Sequence, residues 1–170
     1  LCDLIVGTEE EIHILGGSTD TIAALRALRS RSDALLVCKR GALGCSAFPA
    51  AIPDRLDDGV VGRGFQVEVF NVLGAGDAFM AGFLRGWLRD EPLSTCCEYA
   101  NACGAIVVSR HGSAPAMPTW DELQAFLGGG ERPVRLRDDA ALEQLHWATT
   151  RARVHEDLTV LAVDHRSQFE

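Results

Sequence analysis

Asn71-Val72-Leu73-Gly74-Ala75-Gly76-Asp77-Ala78-Phe79 is the stretch on which the fold turns. Upstream of it, Phe65, Val67 and Val69 alternate with polar neighbours, a spacing that predicts a strand over 65–70. Downstream, Phe79, Met80, Phe83, Leu84, Trp87 and Leu88 share one face at helical spacing, with Arg85 and Arg89 off it. A strand that passes through a glycine turn into an amphipathic helix is a unit of an α/β protein. Glycines at 74 and 76 let the backbone turn tightly and present its N–H groups. A helix N-terminus carries about half a unit of positive charge and several unpaired donors, which suits a phosphate or a developing phosphoryl anion. Asp77, in the first turn, stands where a carboxylate can take a proton from an attacking hydroxyl, the general-base role in phosphoryl transfer. The plainer reading also holds for a bare pattern of this kind: Asp favours first turns, and glycines often precede helices.

Working outward, the flanks repeat the alternation of strand and helix. Asp3 to Val6 reads as a strand, followed by a short helix that opens on Glu9-Glu10-Glu11 and stops at Gly16-Gly17. Ser18, Thr19 and Asp20 offer caps for a helix carrying Ile22, Leu25 and Leu28. Ala34 to Cys38 is a continuous apolar run, as in a buried parallel strand. Cys45 to Phe48 reads as a further strand and 49–64, with Pro53 and Asp57-Asp58-Gly59, as a loop. Leu93 to Val108 predicts a second helix rich in small residues, which admit either a neighbouring helix or a flat ligand ring. Thr119 and Glu122 have capping-box spacing ahead of a helix to Leu127. Gly128-Gly129-Gly130 then breaks the chain. Asp138 to Arg153 has helical periodicity, and Leu158 to Val163 reads as a strand ending in Asp164-His165-Arg166. A lone helix and strand bury too little apolar surface to form a domain, so this tail is expected to be the loosely packed start of one.

The bulk properties narrow the function. The chain has 170 residues, 47% of them hydrophobic, and a formal net charge of −8. That charge argues against nucleic-acid or membrane-surface binding, which selects basic faces. No apolar run reaches the roughly 18 residues of a membrane helix. The six cysteines (Cys2, Cys38, Cys45, Cys96, Cys97, Cys103) include no CxxC pair and no histidine at metal-finger spacing. They are expected to be reduced and mostly buried, as in a cytoplasmic protein. The chain opens at Leu1 inside an apparent strand, as expected of a segment with more protein upstream.

The string 71–79 resembles the signature of the PfkB (ribokinase-like) carbohydrate kinases, roughly DTxGAGDxF. Gly74, Ala75, Gly76, Asp77 and Phe79 match it, while Asn71 and Val72 replace Asp-Thr. The resemblance implies that Asp77 is the catalytic base and that Gly74, Ala75 and Gly76 form the anion hole. Lys39-Arg40-Gly41-Ala42-Leu43-Gly44 resembles the family's KxGxxG turn, which implies nucleotide contacts at Lys39, Gly41 and Gly44. Thr8-Glu9-Glu10-Glu11 takes the place of an NxxE motif that organises Mg2+; Thr8 stands where Asn is usual, so Glu11 carries over. The same run alone also reads as a solvated helix start. Asn101 and Ala105 match the adenine-side helix, and Arg110 to Ala116 matches a loop that holds a monovalent cation (K+). The Asn71 replacement falls on the family's contact to that cation.

The segments GTEEE, NVLGAGDAFMAGFLRGWL and SRHGSAPAMPTW also look like bacterial sugar-acid kinases of myo-inositol catabolism, whose kinase can be fused to an aldolase-like barrel. Trp147 to Glu170 looks like the opening of such a domain. The resemblance spans essentially the whole chain. It implies the C-terminal part of a ribokinase-like three-layer α/β sandwich with a mainly parallel sheet over 1–127, a linker at 128–137, and a truncated α/β, barrel-like start at 138–170. It further implies ATP-dependent phosphorylation of a sugar-acid primary hydroxyl with Mg2+, and no nucleic-acid or membrane partner. A homo-oligomer of the full-length protein is left open. Three other readings compete. A fructokinase, ribokinase or 2-keto-3-deoxygluconokinase type, or a nucleotide-binding segment without turnover, would share these motifs. A Rossmann oxidoreductase would need a GxGxxG after the first strand and an acidic residue about 20 positions on, and neither is present.

Overall fold

The structure, a computed structural model, describes residues 2–130 and 132–150. Strand β1, Leu4–Thr8, ends in a capping box: the Thr8 hydroxyl accepts the Glu11 N–H at 3.2 Å, and the Glu11 carboxylate accepts the Thr8 N–H at 2.6 Å. Helix α1, Glu9–Gly16, starts there and stops at Gly17. Asp20, whose carboxylate accepts the Ala23 N–H at 2.7 Å, caps α2, Thr21–Arg29. Strand β2, Leu35–Lys39, returns parallel to β1 in a register that pairs Leu4 with Leu35 and Thr8 with Lys39.

The sheet then departs from the expected mainly parallel one. β3, Cys45–Phe48, runs antiparallel to β2, and β4, Val60–Gly62, antiparallel to β3. The result is a mixed four-stranded sheet in the order β1-β2-β3-β4 with one parallel pair. The reason is loop length. Only Arg40–Gly44 connects β2 to β3, and a parallel return needs a crossover of about a dozen residues or more. β4 also lies within the stretch expected to be a loop. The strand expected at 65–70 does not form, because none of the four strands runs alongside it. Its backbone bonds go instead from Glu68 N–H to the Val134 carbonyl and from Phe70 N–H to the Val108 carbonyl.

Alternation along the strands divides the core into two faces. Leu36, Cys38 and Phe48 pack with Ile12, Ala24, Leu25 and Leu28 of α1 and α2. Val37, Cys45 and Ala47 pack on the opposite face with Phe79 and Phe83 of α3, Ala75–Trp87, and with Cys96, Cys97 and Ala100 of α4, Leu93–Val108. The layers are therefore helix, sheet, helix. At Gly82 a β-carbon would meet the Tyr99 carbonyl oxygen at 2.6 Å, so α3 and α4 approach backbone to backbone.

The far side of α4 carries a third cluster. Ile106 and Ala102 meet Leu123 and Phe126 of α5, Trp120–Gly128, together with Leu136 and Leu142. Leu142 belongs to α6, Ala140–Thr149, capped by Asp139. Arg110, Glu122 and His146 are buried together here. The Arg110 guanidinium lies 2.6 Å from the Glu122 carboxylate, and His146 Nδ1 lies 2.8 Å from its other oxygen. So α6, expected to be loosely packed, lies against α5 with Leu142 and His146 buried. Residues 151–153 of that expected helix, the strand at 158–163, and His165 and Arg166 lie outside the described residues. The cysteines are unpaired, and all but Cys2 are buried. Burial pushes the Cys38 thiol up to about 11 and the Cys103 thiol up to about 12.

Candidate active site

The parallel pair sets the site. Because β1 and β2 run the same way, their C-terminal ends lie together, and Thr8 pairs with Lys39. Crevices outside the carboxyl ends of parallel strands are where open α/β sheets bind ligands. The capping box fixes Glu11 over Thr8, and its carboxylate comes 3.6 Å from Lys39 Nζ. The Thr8 N–H bond, more than the Lys39 charge, holds the Glu11 carboxyl below its ordinary value.

Lys39 reaches forward as well as sideways: a β-carbon placed on Gly76, in the first turn of α3, would lie 3.9 Å from Lys39 Nζ. The lysine thus stands between Glu11 and a helix N-terminus. There the Ala75 N–H is bonded to the Val72 carbonyl at 3.2 Å, while the N–H groups of Gly76 and Asp77 have no acceptor among the described residues. Unpaired first-turn donors beside an ammonium are an anion-binding arrangement. Asp77 is exposed in the same turn. The turn itself is made by Gly74, at φ 82°, where a β-carbon would meet Ser113 Oγ at 2.5 Å. Gly76 lies inside the helix without a positive φ, so the tight turn expected of both glycines falls to Gly74 alone.

A cavity of about 340 Å³ opens from this point. Of the residues singled out in the sequence, Lys39, Gly41, Gly44, Ala75, Gly76, Asn101 and Ala105 line it. Gly74 and Asp77 flank the lining residues Ala75 and Gly76, and Glu11 adjoins the cavity through Thr8 and Lys39, which both line it. The 40–44 turn is pressed backbone to backbone against 62–64: a β-carbon on Gly44, at φ 91°, would lie 2.0 Å from the Gly62 carbonyl oxygen and 2.6 Å from the Gly64 N. Asn101 is buried and donates to Cys45 Sγ at 3.4 Å.

The apolar part of the lining was missed in the sequence. Phe65, Val67, Val69, Val72 and Val108 make an apolar wall, and Gly104, in the small-residue helix read as able to admit a flat ring, also lines the cavity. The alternation of Phe65, Val67 and Val69 was the signal, and it marks a cavity wall rather than a strand face. The result is an apolar slot with a cationic, donor-rich end, the general form of a small-molecule site. Among the described residues no three His, Cys, Asp or Glu side chains come together to hold a metal ion. Mg2+ usually keeps several waters and takes one or two carboxylates plus substrate phosphates, and Glu11 beside Lys39 fits that small donor set.

The chain belongs to the pfkB family of carbohydrate kinases, whose family model matches residues 1–120. Residues 122–170 match a second model, an uncharacterized protein conserved in bacteria (DUF2090). Among curated relatives, 5-dehydro-2-deoxygluconokinase of Listeria monocytogenes is 32% identical over 133 residues, covering 76% of this chain and 39% of the relative. The enzyme of the same name from Lacticaseibacillus casei is 38% identical over 135 residues, again 76% and 39%. The chain thus spans about two fifths of the length of these relatives. Among solved structures, a fructokinase double mutant from Vibrio cholerae with fructose, ADP and potassium bound is 28% identical, with a TM-score of 0.64 over 74% of this chain and 41% of that one. A putative ribokinase II from E. coli with ATP and Mg2+ shares the fold at a TM-score of 0.67 and 24% identity, over 75% and 40% of the two chains. No helix among the described residues is long and apolar enough to cross a membrane.

Proposed function

We propose that this chain is the nucleotide-binding, catalytic part of a kinase that transfers the γ-phosphoryl group of ATP to the primary hydroxyl of a sugar acid. The proposed substrate is 5-dehydro-2-deoxygluconate, giving its 6-phosphate in inositol catabolism. One observation carries the reading: an apolar cavity ends at the free N–H groups of Gly76 and Asp77, with Lys39 beside them and the Asp77 carboxylate exposed in the same turn. In the proposed roles, Asp77 accepts the proton of the acceptor hydroxyl as the hydroxyl oxygen bonds to the γ-phosphorus and the bond from that phosphorus to the ADP oxygen breaks. The Gly76 and Asp77 amides and Lys39 hold the charge that builds on the transferred group. Gly41, Gly44, Asn101 and Ala105, with the wall of Phe65, Val67 and Val69, hold the nucleoside, and Glu11 holds Mg2+ through water. Mg2+, when bound, offsets phosphate charge. The choice of sugar rests on the names of the relatives. We further propose that the kinase part runs over 1–127, with a linker at 128–137 and a second domain starting near 138, and that the enzyme is cytoplasmic.

The test is direct nucleotide titration followed by a coupled ADP-release assay on the full-length protein with 5-dehydro-2-deoxygluconate, fructose, ribose and 2-keto-3-deoxygluconate. Preferred turnover of the first supports the proposal. Preference for another sugar moves the enzyme within the family, and tight nucleotide binding without ADP release from any of them reduces this chain to a binding module.

A further inference from the structure

The segment that leads into α3 is fastened to the 108–113 loop by hydrogen bonds from Phe70 and Asn71. Phe70 and Asn71 both donate their N–H groups to the Val108 carbonyl, at 2.7 and 3.1 Å. The Asn71 side-chain amide spans the remaining gap: its nitrogen donates to the Gly112 carbonyl at 2.9 Å, and its oxygen accepts the Leu73 N–H at 3.0 Å. The two bonds together fix which end of the amide faces which loop, since only the NH2 end donates. Three residues beyond Asn71, Gly74 packs against Ser113, and α3 begins at Ala75. Asn71 therefore sets where the free amides of Gly76 and Asp77 stand.

This is the place where the family resemblance puts a monovalent cation, and the Vibrio fructokinase is described with potassium bound. The residues here do not fit one. A cation held between two loops needs oxygen atoms turned toward it in place of its hydration shell. At this join the Gly112 carbonyl is taken by an N–H donor, and the side chain at 71 carries no negative charge.

We propose that Asn71 is a positioning residue that replaces the cation, so that this kinase works without potassium. The proposal rests on the kinase reading above, and its test has an arm independent of turnover. The full-length enzyme is assayed at fixed ionic strength in potassium, sodium or choline chloride, and its thermal unfolding is followed in the same salts with and without Mg2+-ADP. The rates are expected to agree within about twofold, whereas a potassium rate more than about fivefold above choline, the lower edge of ordinary site-to-site coupling, overturns the proposal. The wild-type unfolding temperature is expected to be the same in potassium and choline; a potassium-specific rise also overturns it. Asn71→Asp restores a carboxylate and removes the donor to Gly112. That variant is expected to lose rate and stability in choline and to regain both in potassium, which a merely structural role would not produce. Absence of turnover in every salt sinks the kinase reading, and the unfolding arm still decides this one.

Discussion

Gly44→Ala is the substitution whose cost can be worked most directly from the structure. Gly44 closes the 40–44 turn by donating its N–H to the Gly41 carbonyl at 3.0 Å, while its own carbonyl accepts the Arg40 N–H at 2.7 Å. Its dihedrals, φ 91° and ψ −134°, lie in territory open almost only to glycine, and holding an alanine there costs about 1–3 kcal/mol. The added β-carbon would sit 2.0 Å from the Gly62 carbonyl oxygen, 2.6 Å from the Gly64 N and 2.7 Å from the Arg63 carbonyl carbon. All three are backbone atoms, so no side chain can rotate away. The turn must lift from 62–64, a displacement of the overpacking kind worth about 1–3 kcal/mol more. The expected loss is about 2–6 kcal/mol in urea unfolding of the full-length protein. Gly41→Ala is the control, because Gly41 also has a positive φ, 57°, but faces open space, so only a left-handed penalty of about 1–2 kcal/mol applies. Both glycines line the cavity. Lifting the turn opens its floor, so nucleotide affinity by calorimetry is expected to fall at least about tenfold for Gly44→Ala, equivalent to 1.4 kcal/mol. Equal destabilisation by the two substitutions, or unchanged nucleotide affinity in a folded Gly44→Ala protein, would refute the backbone contact as the source of the cost.

Asp77→Asn keeps the shape of the first turn and removes the base: turnover is expected to fall about 10²-fold or more with nucleotide affinity little changed, and near wild-type turnover excludes Asp77 as the base. Glu11 titrates in the folded protein below 4.5, its unperturbed value, so the stability it contributes is complete above that pH and is lost as pH falls through the depressed value. The difference in unfolding free energy between wild type and Glu11→Gln is thus expected to be flat from pH 8 down to about 5 and to shrink below about 4.5; a difference that grows on acidification has the opposite sign and rejects the capping-box account. Glu122→Gln leaves the buried Arg110 without its nearest carboxylate, and urea unfolding is expected to show a loss of about 3–5 kcal/mol, a loss below about 1 kcal/mol meaning that the buried pair contributes little net stability.

The elements that could be read from the sequence were those with local signals. Thr8 with Glu11, and Thr119 with Glu122, mark two helix starts because a capping box is complete within four residues. β3 is found at Cys45–Phe48 and α4 at Leu93–Val108, as read, because glycine or proline breaks bound both runs. Strand direction was not recognised, although the five-residue connection Arg40–Gly44 already excluded a parallel return. At 65–70 the alternation was real but identified only an apolar face. Whether such a face meets a sheet or walls a cavity depends on what packs near it, here α4, whose Asn101, Gly104 and Ala105 line the same cavity. The docking of α6 was illegible for a similar reason. It depends on Arg110, Glu122 and His146, which are scattered over three elements and meet only after folding. Within the site, the motif residues could be named, but not that Gly74 alone makes the positive-φ turn while Gly76 faces Lys39.

The way the core aims the lysine follows from the same alternation that builds the layers. Side chains of β2 point alternately to the two faces, so Lys39 shares a face with Val37, and Val37 packs with Phe79 and Phe83 of α3. On β1, Thr8 shares its face with Leu4 and Val6, which pack against that same cluster. The opposite parity, Leu36 and Cys38, packs against α1 and α2. A slip of β2 by one residue would turn Lys39 away from the α3 N-terminus, but it would also bring Leu36 and Cys38 out of one core and Val37 out of the other. The buried aliphatic side chains therefore hold the register that keeps Lys39 beside both Glu11 and Gly76. A charged side chain with half-buried surroundings contributes little to choosing that register itself. Its position is set by residues that touch neither nucleotide nor sugar, which is why the proposed phosphate end of the cavity is inseparable from the folding of the first two strands.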